Sequence, residues 1–161
     1  MSAPQNFLIS LEARHADRIF DGTKTVELRR RAMHVAIGAN VWIYVKMPVG
    51  SVLGCAKVTA LHTLSPRTLW SRFGAVSGLQ RQEFFAYFEG LSKAFALGLG
   101  EPMRLASPIA LDRLREVSNG FHPPQFFANV ASDGPLLQAM NRARYSEPSA
   151  PARRARVAEM V

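Results

Sequence analysis

Hydrophobic and polar positions change their spacing several times along the chain, and each change marks an element. Residues 7–10 are an apolar run that reads as a short strand. From 11 to 21 the spacing becomes helical, with Ala16, Ile19 and Phe20 on one inward face and Gly22 as the C-terminal stop. Residues 25–31 alternate, Val26 and Leu28 on one side against Glu27, Arg29 and Arg31 on the other, the pattern of a half-buried strand. Two β-branched runs, 41–46 and 52–61, flank Met47-Pro48-Val49-Gly50 and predict a central pair of strands joined by a turn.

Ser65-Pro66 is an N-cap and first-turn signal for a short helix ending at Gly74. Residues 77–89 predict a second helix that buries Leu79, Phe84, Tyr87 and Phe88 before Gly90 stops it, and both helices would cover one opening of a barrel. Residues 93–99 and 103–106 are strand candidates on either side of Gly100-Glu101-Pro102, and 109–116 offers a turn or two of helix. Phe121-His122-Pro123-Pro124-Gln125-Phe126-Phe127 must be extended or looped because adjacent prolines exclude helix, and its three phenylalanines imply a loop packed down. A last helix is expected at 135–145. This order predicts an α+β fold: a mostly antiparallel sheet curled into a small β-barrel with flanking helices, since βαβ units are too few for a doubly wound sheet.

With 161 residues and 48% hydrophobic composition the chain can close one core, so residues 1–145 are expected to be a single domain. From 146 to 161 the composition turns to Ser, Pro, Ala and Arg and predicts a basic, disordered tail. A lone cysteine, Cys55, in an apolar run fits core filling in a reducing compartment. Four scattered histidines without a second cysteine give no zinc spacing, so no metal and no cofactor is expected. The N-terminus has no signal-peptide pattern and no apolar run is long enough to span a bilayer, which predicts a soluble, cytoplasmic protein without a membrane partner.

Charge narrows the partner. A net charge of +8 makes polyanions the first class to consider, with nucleic acid and nucleotides foremost. Gly22, Lys24, Glu27 and Arg29 form the spacing Gly-x-Lys-x-x-Glu-x-Arg. Gly22 permits a tight turn, Lys24 and Arg29 supply a point charge and a planar fork of donors, and Glu27 supplies the acceptor. On a regular strand Glu27 and Arg29 share a face while Lys24 points away, so convergence of all three requires an irregular segment at 22–25. The bland alternative is a Glu27–Arg29 surface ion pair beside a solvated Lys24.

This motif resembles that of the ASCH domain family in the PUA-like superfamily. The similarity extends more loosely over residues 7–130, through the Val-Trp-Ile-Tyr strand, the Pro-Val-Gly turn and the Pro-Pro-Gln-Phe loop. It implies a PUA-like barrel with the motif at its mouth, and an RNA or a modified nucleoside or nucleotide as ligand. Arg30 and Arg31 would extend the positive rim toward phosphate, with a solvated face as the alternative. His34 is a weaker candidate near the same loop. Trp42, Tyr44 and Lys46 share one face of their strand and form either a base-stacking platform beside a cation or core packing under a helix. Arg142, Arg144, Arg153, Arg154 and Arg156 offer non-specific phosphate contacts or a solvated tail.

Some proteins of the family are hydrolases. One bacterial group deacetylates N4-acetylcytidine with the motif lysine, a threonine three residues later and a distant glutamate, and others have been described as ribonucleases. Here Glu27 stands at the threonine position and Gly74-Ala75-Val76 falls where the glutamate is expected, so the amidohydrolase pattern is not reproduced. Lys24 and Glu27 remain the catalytic candidates for any hydrolase reading, as oxyanion stabiliser and base. His122 has no catalytic partner at a recognisable spacing and reads as structural. A protein-interaction module would need an exposed apolar patch, which the sequence does not locate.

Overall fold

The computed structural model describes residues 3–146; the expected tail from 147 onward lies outside the described residues. Strand β1 (Asn6–Leu11) leads into helix α1 (Ala13–Phe20), followed by strands β2 (Val26–Arg29), β3 (Asn40–Val45) and β4 (Ser51–Leu64). Helix α2 (Pro66–Phe73) and a 3-10 turn at Gly74–Val76 precede α3 (Arg81–Tyr87). The chain closes with β5 (Ala94–Ala110), α4 (Leu111–Val117), β6 (Phe127–Asn129) and α5 (Pro135–Tyr145). Among these elements no helix is long and apolar enough to cross a membrane.

Among the described residues six strands form one sheet in the order β2-β5-β4-β3-β1-β6. Only β1 and β3 run parallel, Asn6 opposite Asn40 through Leu11 opposite Val45, because the α1–β2 segment intervenes between them. The β3–β4 hairpin forms around the turn read from the sequence, with Val45 opposite Ser51. Three register shifts between β4 and β5 bend these long strands, and the sheet curls into a PUA-like half-barrel whose edges are β2 and β6.

Because side chains alternate across a strand, a sheet covered on both faces needs apolar residues at every position, which explains the unbroken run at 41–45. Val41, Ile43 and Val45 join Phe7, Ile9 and Ile19 inside the curl. Trp42 and Tyr44 join Leu8, Leu114, Leu137 and Met140 beneath α4 and α5. A third cluster holds Val26, Leu28 and Ala96 under Leu69 of α2, Phe84 of α3 and Phe88 just beyond its end. Ser65 caps α2 as expected, its Oγ accepting from the Thr68 N–H at 3.2 Å.

Four sequence expectations are corrected. The second covering helix starts at Arg81 instead of Ser77, because residues 74–78 form a tight loop in which Ser77 Oγ donates to the Gly74 carbonyl at 2.8 Å and Gly78 takes φ +76°. Tyr87 is 37% exposed, not buried. The two strand candidates around Gly100-Glu101-Pro102 are one strand, since Glu101 at φ +47° absorbs an irregularity while pairing resumes at Met103. Of the three phenylalanines in the proline loop only Phe121 is buried, and Phe127 begins a short edge strand against β1.

Candidate functional site

Where α1 ends, Gly22 takes φ +84° and reverses the chain, a conformation an L side chain resists. Asp21 Oδ1 then accepts from the Thr23 N–H at 2.9 Å and from its hydroxyl at 2.6 Å, which holds the Asp21 carboxyl below its ordinary pKa. The Lys24 N–H donates to the Arg18 carbonyl at 2.9 Å and the Thr25 N–H to the Val76 carbonyl at 3.0 Å. This pinned, irregular segment turns Lys24 inward before β2 begins. Regular alternation along β2 then sets Glu27 and Arg29 on one face.

The three charged groups converge. Lys24 is 3% exposed and Glu27 8% exposed. Lys24 Nζ lies 3.8 Å from Glu27 Oε2, and Arg29 Nη2 lies 3.5 Å from Glu27 Oε1. Lys24 Nζ also donates to the Ser77 carbonyl at 2.5 Å, so the loop between the covering helices holds the ammonium in place. Arg18 donates to the carbonyl of Gly78 from the other side of that loop. A Cβ at Gly78 would stand 3.1 Å from Lys24 Cδ, a close approach that favours glycine there.

Lys24, Glu27 and Lys46 line a pocket of about 310 Å³. Ser10 and Leu11 of β1 form one wall, Leu28, Leu79 and Tyr87 another, and Arg14, held by Glu83 at 3.0 Å and Glu12 at 3.3 Å, stands at the mouth. Burial lowers the Lys24 pKa against the opposing pull of Glu27. His15 also lines the pocket; its Nδ1 is buried without a hydrogen-bond partner among the described residues, and burial, then the Lys24 charge, lower its pKa. Partial desolvation raises the Tyr87 phenol, whose hydroxyl donates to the Leu28 carbonyl at 3.2 Å.

The structure sorts the sequence candidates. Lys24, Glu27 and Lys46 meet in the pocket, Lys46 from the β3–β4 turn. Gly22 shapes the turn, its N–H donating to the Ile19 carbonyl at 3.2 Å, and does not line the pocket. Arg29 braces Glu27 and faces neighbouring cavities, while exposed Arg30 donates to the Tyr87 carbonyl at 2.7 Å. Tyr44 is a correction: at 2% exposure its ring is core beneath α4 and α5, with no face free to stack a base. Trp42 is core as well, its Nε1 donating to Asn6 Oδ1 at 3.0 Å. His34 and His122 are exposed and line none of these cavities. Sequence reasoning missed His15, Ser10 and the Ser77 carbonyl. His15 carried a usable signal, since it lies one helical turn before Ile19 on the flank of the apolar stripe.

Comparison with known proteins matches residues 9–103 to the ASCH domain family model. An ASCH domain-containing ribonuclease of Zymomonas mobilis is 44% identical over 120 residues, 73% of this chain and 79% of that protein. The crystal structure of ASCH from Zymomonas mobilis superposes with a TM-score of 0.75 at 40% identity, covering 79% of this chain and 88% of that one. A serine-to-alanine variant of the same protein reaches a TM-score of 0.80 at 37% identity over 88% and 97% of the two chains. The N-terminal domain of Staphylothermus marinus McrB shares the fold alone, with a TM-score of 0.57 at 11% identity over 84% and 92%.

Proposed function

The chain belongs to the ASCH domain family, and from that premise we propose that it is a cytoplasmic RNA- or nucleotide-binding protein that seats a base in the Lys24–Glu27 pocket. One observation carries the reading: a buried ammonium and a buried carboxylate 3.8 Å apart in a cavity of about 310 Å³. Side by side they offer a donor and an acceptor, the complement of a base edge on which an amino group neighbours a carbonyl or ring nitrogen. The cavity is of a size for a nucleoside. Leu28, Leu79 and the Tyr87 ring supply apolar walls, and Lys46 and Arg14 supply charge at the mouth. The name of the Zymomonas mobilis relative supports RNA as the polymer of interest.

Titration of a nucleoside panel followed by calorimetry tests this. Lys24→Met combined with Glu27→Gln removes both charges at nearly constant volume and is expected to weaken binding by at least tenfold, since hydrogen bonds to charged groups contribute about 1.5–3 kcal/mol each. Unchanged affinity in the folded double variant sinks the reading.

His15 favours a second reading, RNA cleavage, in which the same pocket acts on the bound strand. A neutral imidazole with a free nitrogen, or the Glu27 carboxylate, takes the proton of a ribose 2′-hydroxyl. Its oxygen bonds to the adjacent phosphorus, Lys24 balances the charge that builds on the phosphoryl oxygens, and the 5′-oxygen leaves with a proton to give a 2′,3′-cyclic phosphate. Single-turnover cleavage lost in His15→Ala or Glu27→Gln while binding persists supports it; no product from the wild-type protein on prolonged incubation removes it.

A further inference from the structure

A second cavity, of about 460 Å³, adjoins the first and shares the Tyr87 side chain with it. Among the described residues its lining includes Arg29, Arg30 and Arg31, together with Phe126 and Phe127, and no carboxylate. Among the described residues Arg30 and Arg31 have no ion-pair partner, and Arg29 Nε is buried without a hydrogen-bond acceptor. Phe126 is 63% exposed. Phe127 is the fixed wall behind it, its ring edge-on to Phe7 at 6.2 Å.

The backbone that carries the exposed ring is held on both sides. Ser10 Oγ donates to the Pro124 carbonyl at 2.6 Å, pinning the proline loop to β1, and Phe127 pairs with Ile9 in the sheet. Two adjacent prolines restrict the loop further. The two cavities divide the chemistry of a nucleotide chain between them. The first balances Lys24, Lys46 and Arg14 against Glu12, Glu27 and Glu83, which suits an uncharged base more than a phosphate. The second is purely cationic with an aromatic surface, which suits a phosphate followed by a stacked base.

We infer that the arginine–phenylalanine cavity is a second nucleotide subsite: single-stranded RNA places one base in the Lys24–Glu27 pocket, the adjoining phosphate on Arg29–Arg31 and the next base on Phe126. The inference rests on the base-pocket reading and extends it from a single nucleoside to a strand with unpaired bases. A paired base has no free face for Phe126 and cannot enter the first pocket without being unstacked.

The test compares a nucleoside, a short unstructured RNA protected from cleavage by 2′-O-methyl groups, and the same sequence closed into a hairpin stem. Phe126→Ala combined with Arg31→Gln is expected to weaken the unstructured RNA by tenfold or more and leave the nucleoside, which reaches only the first pocket, unchanged. Both side chains are exposed, so the variant keeps its fold. If the variant binds the unstructured RNA like wild type while Lys24→Met still loses it, the subsite is overturned and the base pocket stands. If the variant loses the RNA but Lys24→Met does not, the subsite stands and the base pocket falls. Equal affinity for stem and unstructured RNA, untouched by Phe126→Ala, overturns the subsite in favour of backbone charge alone.

Discussion

Lys24 sets the pH behaviour of the pocket. Burial removes water from its ammonium and holds its pKa below the ordinary 10.5, with Glu27 pulling the other way. The unfolded chain therefore holds this proton more tightly, so the contribution of Lys24 to stability improves as pH rises from the folded value toward 10.5. Ligand binding runs opposite in sign, because the ammonium is the donor. Affinity for a base is expected to fall on the alkaline side at a pH below that of an ordinary lysine, and the break should vanish in Lys24→Met; a flat profile in the wild type contradicts this. Much at this scale is legible in the sequence. Gly22 announces a broken strand, and a broken strand is what brings Lys24 to Glu27 and Arg29. Tyr44 is not legible, because alternation tells which residues share a face but not that both faces are covered. His15 is lost for a related reason: a histidine flanking an apolar stripe looks like any helix surface until the covering loop is known.

At the scale of elements, the pocket depends on the 74–80 loop more than on any helix. The Ser77 carbonyl holds Lys24, and Gly78 makes the turn that presents it. Gly78→Ala introduces a side chain at φ +76° and a methyl 3.1 Å from Lys24 Cδ. A loss of about 1–2 kcal/mol in denaturant unfolding is expected, with a larger loss of ligand affinity than Gly22→Ala, whose added methyl meets nothing within 4 Å. Equal effects of the two substitutions on binding count against the loop as the positioning element. Capping signals read well from sequence, as Ser65-Pro66 and the 135–145 helix show. The start of α3 did not, because Ser77-Gly78 resembles a cap although it forms a loop of its own. β5 reads from sequence as two strands because an irregularity at Gly100-Glu101-Pro102 has the composition of a turn.

Across the whole molecule, the curled sheet uses both faces for packing, which leaves its mouth and edges for ligands. The sequence conveyed the α+β class and the barrel-like curl through its order of short elements, but not the open edge at β6, a strand of only three residues. Charge is also distributed differently from what the arginine-rich end suggests. Residues 147–161 hold three arginines and two glutamates, so they account for only one of the eight net positive charges. Truncation after Ser146 is expected to leave RNA binding strongly salt-dependent, lowering the slope of log affinity against log salt by at most about 2, the share of three phosphate contacts on a single strand. Near-complete loss of the salt dependence on truncation places binding in the tail instead. The Ser10–Pro124 hydrogen bond gives this layout a kinetic meaning. Ser10 is a wall of the first cavity and the clamp on the loop that carries Phe126, so the loop is ordered before any strand arrives. A strand reaching both cavities then finds its second foothold already in place, and the clamp's effect falls on residence time more than on the rate of encounter.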